Sequence, residues 1–505
     1  MRNRFQFLLP LVDYLGALLW TSGFVLLAPI AVLLIYAHAG RREVSVFCYL
    51  LPAVIALGSG LLLKRKPTFV PLDSRGAMLL CVVAWLGVSA IGALPLYLAL
   101  PVSYLDAYFE AVSGFTTTGI TMLSGLDALA PSLLFWRALM QWLGGLGILA
   151  FFLAFARGVT AAPRLFTAES HKIFAKRPAP SLFHTLKILW AIYAIYTVVI
   201  AALLTAEGMP PFDAVCHSMT GLSTGGYSPH DASIGYYAAH PEQFPHYILI
   251  EYTVILAMLL GGLNFFIHYR VLTGGIRALW DNAETRLFWL FLAGAALLVA
   301  VDVAAHQTHQ AGGADIHGTV RHSAFQVVSV MTTTGFATKD LAASPVGARY
   351  FPALAMQVLL VLMVVGGCVG STSGGIKVLR VGVLLKMVGR QVKRAIHGPT
   401  AVNLITVDGE PVELEELRRI AALFFAWIML LFIGSAVTAL LSAHGAVESA
   451  SGMFSALGNI GPCYMSNAEM VALHPLIKLT YIVGMLAGRL EILPVLLLFS
   501  RRAWR

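Results

Sequence analysis

SGFTTTG (residues 113–119), TGLSTGG (220–226), SVMTTTG (329–335) and SALGNIG (455–461) are four variants of one short segment, each set between apolar stretches. Their last glycines, Gly119, Gly226, Gly335 and Gly461, are 107, 109 and 126 residues apart. That period is too long for a solenoid repeat. It suits two membrane-crossing helices and a re-entrant loop, since roughly 20 apolar residues cross a bilayer. Four such units in one chain can surround one axis. The repeat therefore predicts a pore whose ion filter is made of backbone carbonyls.

Composition agrees. The chain has 505 residues, 58% hydrophobic and 12% charged, with a mean hydropathy of +0.79. A soluble domain carries roughly 25% charged residues. The expected class is an all-α polytopic membrane protein. The first apolar run, 15–36, is too long for a signal-peptide core and no small-residue cleavage site follows it, so it reads as a retained span.

The formal charge of +9 could suggest nucleic acid, but its placement points to a membrane instead. Basic residues collect in alternate loops: Lys64, Arg65, Lys66 and Arg75; Arg157, Arg164, Lys172, Lys176 and Arg177; Arg270, Arg277 and Arg286; Lys377, Arg380, Lys386, Arg390, Lys393 and Arg394; then Arg501, Arg502 and Arg505. The stretches 102–136 and 207–250, around the first two hairpins, contain no Lys or Arg. Cytoplasmic loops gather positive charge. Both termini are thus expected in the cytoplasm and the hairpins outside, with Arg41, Arg42, Arg321, Lys339 and Arg349 as exceptions. Cys48, Cys81, Cys216, Cys368 and Cys463 are scattered, show no metal-ligand spacing and read as buried small residues.

Ten spans are expected. An N-terminal pair (12–37, 44–63) precedes four outer–inner pairs: 77–100 with 133–157, 185–206 with 247–270, 287–305 with 351–388, and 416–443 with 475–499. Pore helices are expected near 106–115, 213–222, 321–331 and 447–457, each too short to cross roughly 30 Å of hydrocarbon. The units are residues 1–75 (the pair), 76–160, 161–278, 279–400 and 401–505. Two polar connectors, 161–181 and 391–416, are too short to be domains and offer docking surfaces on the inner face.

Aligned on the last glycine, the four copies share a small hydroxyl six positions earlier: Ser113, Thr220, Ser329 and Ser455. Thirteen positions earlier stand Asp106, Asp213, His322 and Glu448. Acids at the outer start of a pore helix serve either as caps on its positive end or as cation attractors. A dehydrating alkali ion needs protein oxygens in place of water, and carbonyls supply them without fixed charge. Glycine permits the bend that turns successive carbonyls inward. The candidate filter is therefore Thr116, Thr117, Thr118 and Gly119; Ser223, Thr224, Gly225 and Gly226; Thr332, Thr333, Thr334 and Gly335; and Gly458, Asn459, Ile460 and Gly461. The fourth copy lacks Thr, so there register and glycine carry the assignment.

The inner spans repeat as well: Gly144-Gly145, Gly261-Gly262, Gly366-Gly367 and Ala487-Gly488. Small residues let helices approach closely, which accounts for the first two pairs. In the third, GGCVGSTSGG (366–375) holds five glycines and three hydroxyls. Each glycine costs a helix about 1 kcal/mol against alanine, so a broken helix with an intramembrane loop is expected there. Gly366, Gly367, Cys368, Gly370, Ser371, Thr372, Ser373, Gly374 and Gly375 are gate candidates, the alternative being a plain kink. Arg489 joins them, because an arginine within a span needs a cavity or a partner. It can pair with Glu491, bind carbonyls of the third-helix loop, form an electrostatic barrier, or snorkel to the inner surface. Arg137 reads either as an outer-interface residue or as one facing the pore.

With these residues the chain resembles the Trk/Ktr/HKT superfamily of potassium transporters, specifically its bacterial Trk-type membrane subunit. The matching segments are SGFTTTG, FWRALMQWLGGLGI (135–148), GLSTGGYS (221–228), TTTGF (332–336), GGCVGSTSGGIKVLR (366–380), SALGNIGP (455–462) and MLAGRLEILPVL (485–496). They fall within 106–498, and the N-terminal pair matches too. The resemblance implies K⁺ uptake, with Rb⁺ as a stand-in, through one pore per chain in the bacterial inner membrane. It also implies a homodimer, no cofactor in this chain, and a separate cytoplasmic nucleotide-binding regulatory subunit. Serine at the first filter position accompanies Na⁺ preference in plant relatives; glycine at all four positions here implies K⁺. The loop 366–375 and Arg489 match the family's gate elements.

A Na⁺- or H⁺-coupled symporter is the alternative, but such folds show inverted repeats rather than four parallel hairpins. A voltage-gated channel would need a span with Arg or Lys at every third position, and the sequence has none. No nucleophile–base pair or metal cluster suggests an enzyme. His217 stands alone and reads as packing.

Overall fold

The computed structural model describes residues 4–64, 72–147, 182–311, 313, 315–342, 350–397 and 404–504. The loop 161–181, the far part of the 133–157 span, residues 398–403 of the second connector, and Arg65, Lys66, Arg157, Arg164, Lys172, Lys176, Arg177, Arg349 and Arg505 lie outside the described residues.

Helices build nearly all of the described chain. The N-terminal pair is Arg4–Val25, continued by Ala28–His38, with Phe47–Leu63. The two pack closely through Gly16, Gly23 and Gly60; a side chain at Gly60 would overlap the Trp20 backbone, the close approach that small residues permit between membrane helices. Four units follow. Their outer helices are Ser74–Gly92 (extended by Leu94–Ala99), Leu182–Ala206, Ala283–Ala311 and Leu414–Leu441. Their short helices are Tyr104–Phe115, Pro211–Leu222, Ile316–Met331 and Ala446–Gly458. Their inner helices are Pro131–Gly145, Tyr247–Gly262, Ala353–Leu362 and Pro475–Arg489.

The units close into a circle. The first short helix packs against its own outer and inner helices and against the inner helix of the fourth unit. In the same way, the second reaches the first unit's inner helix and the third reaches the second's. The fourth closes onto the third: Gly458 lies against the Met363 carbonyl. Large apolar side chains on the outer helices, such as Phe432 and Leu440, remain exposed, as a lipid-facing surface requires.

Among the described residues, five helices are long and apolar enough to cross a bilayer. A sixth span results if Tyr247–Gly262 and Phe265–Leu272, bent by 107°, are taken together. The ten spans of the sequence reading differ from this mainly at the inner helices: the break in the third, at 366–375, is the expected one, whereas those in the second and fourth are not in the sequence reading. The second bends after Gly262, the third stops at Leu362 and resumes as Val378–His397, and the fourth stops at Arg489 and resumes as Ile492–Phe499. Close approach is the physical reason. Gly144, Gly261 and Gly488 each sit against the last carbonyl turn of a short helix, at Phe115, Leu222 and Leu457, where any side chain would collide. The glycines that allow this contact also weaken the helix.

The third short helix begins at Ile316 with Asp315 as its cap, five residues earlier than expected. The second connector contains a small hairpin, Thr406–Val407 paired with Glu410–Pro411, turned by Asp408 and Gly409, both at positive φ.

Candidate ion filter and gate

All four short helices end in the same way. Thr117, Thr224, Thr333 and Asn459 are left-handed, with φ of 54°, 52°, 57° and 56°. The next residue's N–H bonds back five residues: Thr118 to Ser113 O (2.9 Å), Gly225 to Thr220 O (2.8 Å), Thr334 to Ser329 O (2.8 Å) and Ile460 to Ser455 O (3.0 Å). This is the Schellman ending, which normally recruits glycine at the left-handed position. Here three of the four residues are threonine, whose branched Cβ disfavours that region. Each such residue stores on the order of 1–3 kcal/mol, so the surrounding packing must impose the conformation. The aligned hydroxyls assist: Ser329 donates to Phe336 O (2.6 Å) and Ser455 to Gly461 O (2.8 Å).

The hairpins then meet one another. Gly119 lies against the carbonyl oxygen of Gly225, Gly226 against that of Thr334, Gly335 against that of Ile460, and Gly461 against that of Thr118. Each contact pairs the last glycine of one copy with the residue before the last glycine of the next, and the fourth contact returns to the first copy. The four glycines also line one cavity of about 630 Å³, with Arg137, His230, Asp231, Lys339 and Asp340 on its wall. The threonine side chains, Ser223 and Asn459 are fully buried behind this ring.

The acids near the short-helix starts act in different ways. Ser103, not Asp106, caps the first helix; Asp106 accepts from the Ser103 hydroxyl (2.6 Å) and pairs with Lys478 (2.5 Å) on the fourth inner helix. Asp213 accepts from Tyr237 (3.2 Å) and faces His230 (3.1 Å). His322 lies inside its helix, because that helix starts early, and bonds Thr338 (2.9 Å). His217 is buried between Asp213 O (2.9 Å) and Ser228 Oγ (3.1 Å), which agrees with a packing role.

Arg137 is buried, not at an interface. It pairs with Glu110 (2.9 Å), donates to Ser228 O (3.1 Å) and Thr121 Oγ1 (3.2 Å), and lies over the Tyr227 ring (4.1 Å). It thereby ties together the chains leaving the first two hairpins. Glu110, Gln141 and His230 escaped the sequence reading. Glu110 and Gln141 are lone polar residues in apolar stretches, a usable signal under the rule that buried polar groups need partners; His230 stands in the polar loop 228–233 and carries no such signal.

On the side of the ring away from the cavity lies the loop 366–375. It is ordered rather than slack. Gly366 N–H bonds Ile376 O (2.9 Å), Cys368 N–H bonds Gly262 O (3.0 Å), Thr372 N–H bonds Gly261 O (3.1 Å) and Val369 N–H bonds Glu284 (2.6 Å). Two of these bonds satisfy carbonyls freed by the break in the second inner helix, as an intramembrane helix end requires. The loop or Arg489 meets every left-handed hairpin residue. Thr224 donates to Thr372 Oγ1 (3.1 Å), Gly374 N–H donates to Thr333 Oγ1 (2.7 Å), Asn459 lies against Gly374, and Arg489 donates to Thr117 Oγ1 (3.2 Å).

Arg489 also donates to the carbonyls of Thr372, Gly144 (2.6 Å) and Gly145 (2.5 Å). The Thr372 bond is the carbonyl binding to the loop that the sequence left open as one role of Arg489. The Glu491 carboxylate takes Arg380 (2.8 Å). The five cysteines are free and buried.

Helical units closed around a shared cavity, with apolar outer helices, define a multi-pass membrane transport protein. The family profile described as "TrkH: Cation transport protein" matches residues 45–504, and the chain belongs to that family, whose members are transporters and not enzymes. The Trk system potassium uptake protein TrkH of Salmonella typhimurium is 33% identical over 491 residues, 96% of either chain. TrkG of Escherichia coli is 31% identical over 503 residues, 97% of either chain. The crystal structure of the potassium transporter TrkH from Vibrio parahaemolyticus superposes with a TM-score of 0.83 at 29% identity, covering both chains fully.

Proposed function

We propose that this chain takes up K⁺ through a central pore, with the four hairpins as the ion filter and the loop 366–375 with Arg489 as the gate. One observation carries this reading. The contacts of Gly119, Gly226, Gly335 and Gly461 run from copy to copy and return to the start, as a ring of carbonyls around one ion path needs. The relatives named for potassium uptake support K⁺ as the ion, and Rb⁺ is its natural tracer.

The gate reading draws on the contacts of the loop with three hairpins and of Arg489 with the first. Arg489 adds a fixed positive charge beside the ring, which opposes cations in a low-dielectric passage. The basic loops favour an inner-membrane protein with both termini in the cytoplasm. A homodimer and a cytoplasmic nucleotide-binding regulatory subunit complete the proposal by analogy with the family. The residue blocks 1–75, 76–160, 161–278, 279–400 and 401–505 are its proposed units.

Rb⁺ uptake by the purified full-length chain in liposomes, with and without imposed Na⁺ and H⁺ gradients, tests the reading. Uptake that K⁺ blocks and Na⁺ does not, independent of either gradient, supports a K⁺ pore. Uptake that requires a Na⁺ or H⁺ gradient identifies the symporter instead. Gly119→Ser tests the filter itself: the site has φ +84° and abuts its neighbours' backbone, so K⁺ preference over Na⁺ falls if the hairpins select the ion.

A further inference from the structure

The ring is not equivalent in all four copies, and the difference has a partner elsewhere in the chain. In the first and third copies the residue before the last glycine is threonine. Its hydroxyl bonds the first threonine of the same hairpin: Thr118 to Thr116 (2.7 Å) and Thr334 to Thr332 (2.8 Å). The second copy has Gly225 there. Gly225 is not among the residues of positive φ, so its backbone would accept any L-residue. What excludes a side chain is Gln141 of the first inner helix, whose carboxamide occupies the space a Cβ would take.

Gln141 is fully buried and uses both ends of its amide on the second hairpin. Its Nε2 donates to Gly225 O (2.6 Å), and its Oε1 accepts from Tyr227 N–H (3.0 Å). It therefore brackets Gly226 from behind, fixing the carbonyl before it and the amide after it. Gln141 stands three residues before Gly144. Met258, Met363 and Met485 stand three before Gly261, Gly366 and Gly488. The glutamine is peculiar to the unit that faces the hairpin with glycine, rather than a residue with a side chain, before its last glycine.

We infer that Gln141 is a specificity-determining positioning residue: it replaces the missing threonine of the second copy and sets the position of the Gly225 carbonyl in the ring. Buried polar networks lock geometry only when every member is satisfied, and this amide is satisfied at both ends by the hairpin. Losing its donor frees a carbonyl that abuts Gly119 of the neighbouring copy.

The inference rests on the filter reading, so the experiment separates the two. Purified full-length variants in liposomes are compared for the ratio of K⁺ to Na⁺ block of Rb⁺ uptake, alongside total uptake and thermal midpoint. Gln141→Met keeps the volume and installs the residue of the other three units. It should lower the ratio about tenfold while uptake persists, the scale expected when a pair of buried hydrogen bonds is lost. Gln141→Glu keeps the acceptor for Tyr227 but cannot donate to Gly225 when ionised, and should lower the ratio as well.

The double variant Gln141→Ala with Gly225→Thr rebuilds the arrangement of the first and third copies and should recover much of the ratio. Gly225→Thr alone should be the worst, because both side chains claim one space. An unchanged ratio in Gln141→Met and Gln141→Glu, or equal ratios in Gln141→Ala and the double variant, overturns the inference. If Gly119→Ser also leaves the ratio untouched, the filter reading fails; if Gly119→Ser shifts it and the Gln141 variants do not, this inference alone fails.

Discussion

Arg380 and Glu491 form an ion pair of 2.8 Å that joins the helix after the loop to the break in the fourth inner helix. Glu491 pays for its place with φ 61° and ψ 153°, a region used almost only by glycine that costs on the order of 1–3 kcal/mol. The ion pair helps to offset this strain and ties the loop's exit to the fourth inner helix. Arg380→Gln and Glu491→Gln should each raise Rb⁺ flux several-fold in liposomes lacking any regulator. The exchanged pair, Arg380→Glu with Glu491→Arg, should return flux towards the starting level. Flux that stays at the parental level in both single variants would make the pair structural only.

Arg489 reaches the first inner helix, the loop and a hairpin residue together, through Gly144 and Gly145, Thr372, and Thr117. Arg489→Ala removes both the charge and these links, so regulator-free flux should rise. Arg489→Lys keeps the charge on a single nitrogen and loses the planar fork. It should give intermediate flux. If alanine and lysine give equal flux, bridging rather than charge sets the barrier. Shortening 366–375 should raise flux too, and no rise in either experiment removes these residues from the gate.

Glu110 and Arg137 are both buried. Glu110→Gln strands the guanidinium's charge and should lower stability by about 3–5 kcal/mol, the usual cost of breaking a buried pair. Chemical denaturation in detergent would measure it. Arg137→Met with Glu110→Leu should lose less than either single change, because no unpaired charge remains. A double variant less stable than the worse single one would show that Arg137 matters chiefly through Ser228 and Tyr227.

Much of this is legible in the amino-acid sequence. Repetition marked the hairpins, because four copies in register suppress chance in a way one TTTG does not. The loop 366–375 was visible because glycine is costly in helices. The hairpin in the second connector also has a local signal, the Asp408-Gly409 pair that favours tight turns, which composition alone shows only as a polar stretch. The breaks at Gly262 and Arg489 were not legible, since a glycine pair looks alike in a continuous packed helix and in a broken one. Gln141 was hidden for another reason. Its meaning depends on Gly225, 84 residues away, and on which inner helix faces which hairpin, a property of the closed circle rather than of either segment.

His230 offers a test outside the membrane spans. Its two ring nitrogens face carboxylates, Nδ1 towards Asp127 (2.5 Å) and Nε2 towards Asp213 (3.1 Å), and the ring stacks on Tyr236 at 3.6 Å. Tyr237 donates to the same Asp213 oxygen, and Asp231 beside it accepts from Leu126 N–H (2.9 Å). Only the imidazolium can donate at both nitrogens. Burial pulls the His230 pKa down, but Asp213 and Asp127 outweigh it and leave the pKa above 6.5. Burial likewise opposes ionisation of Asp127, yet its hydrogen bond with His230 holds the carboxyl below 3.8. A raised histidine pKa contributes stability that is fully present below the ordinary value and lost as pH rises through the raised one. The lowered Asp127 pKa contributes above the ordinary carboxylate value, and that stability is lost as pH falls through the lowered one. The clamp between the 126–128 turn and the second short helix is therefore strongest at mildly acidic pH and loosens towards alkaline pH. Amide exchange at Leu126 and Leu129, followed from about pH 5 to about pH 9 and corrected for intrinsic rates, should show protection falling with rising pH. In His230→Gln, protection should be lower throughout and flat across that range. Protection in the parent protein that does not change with pH would mean the ring is not the titrating element of this contact.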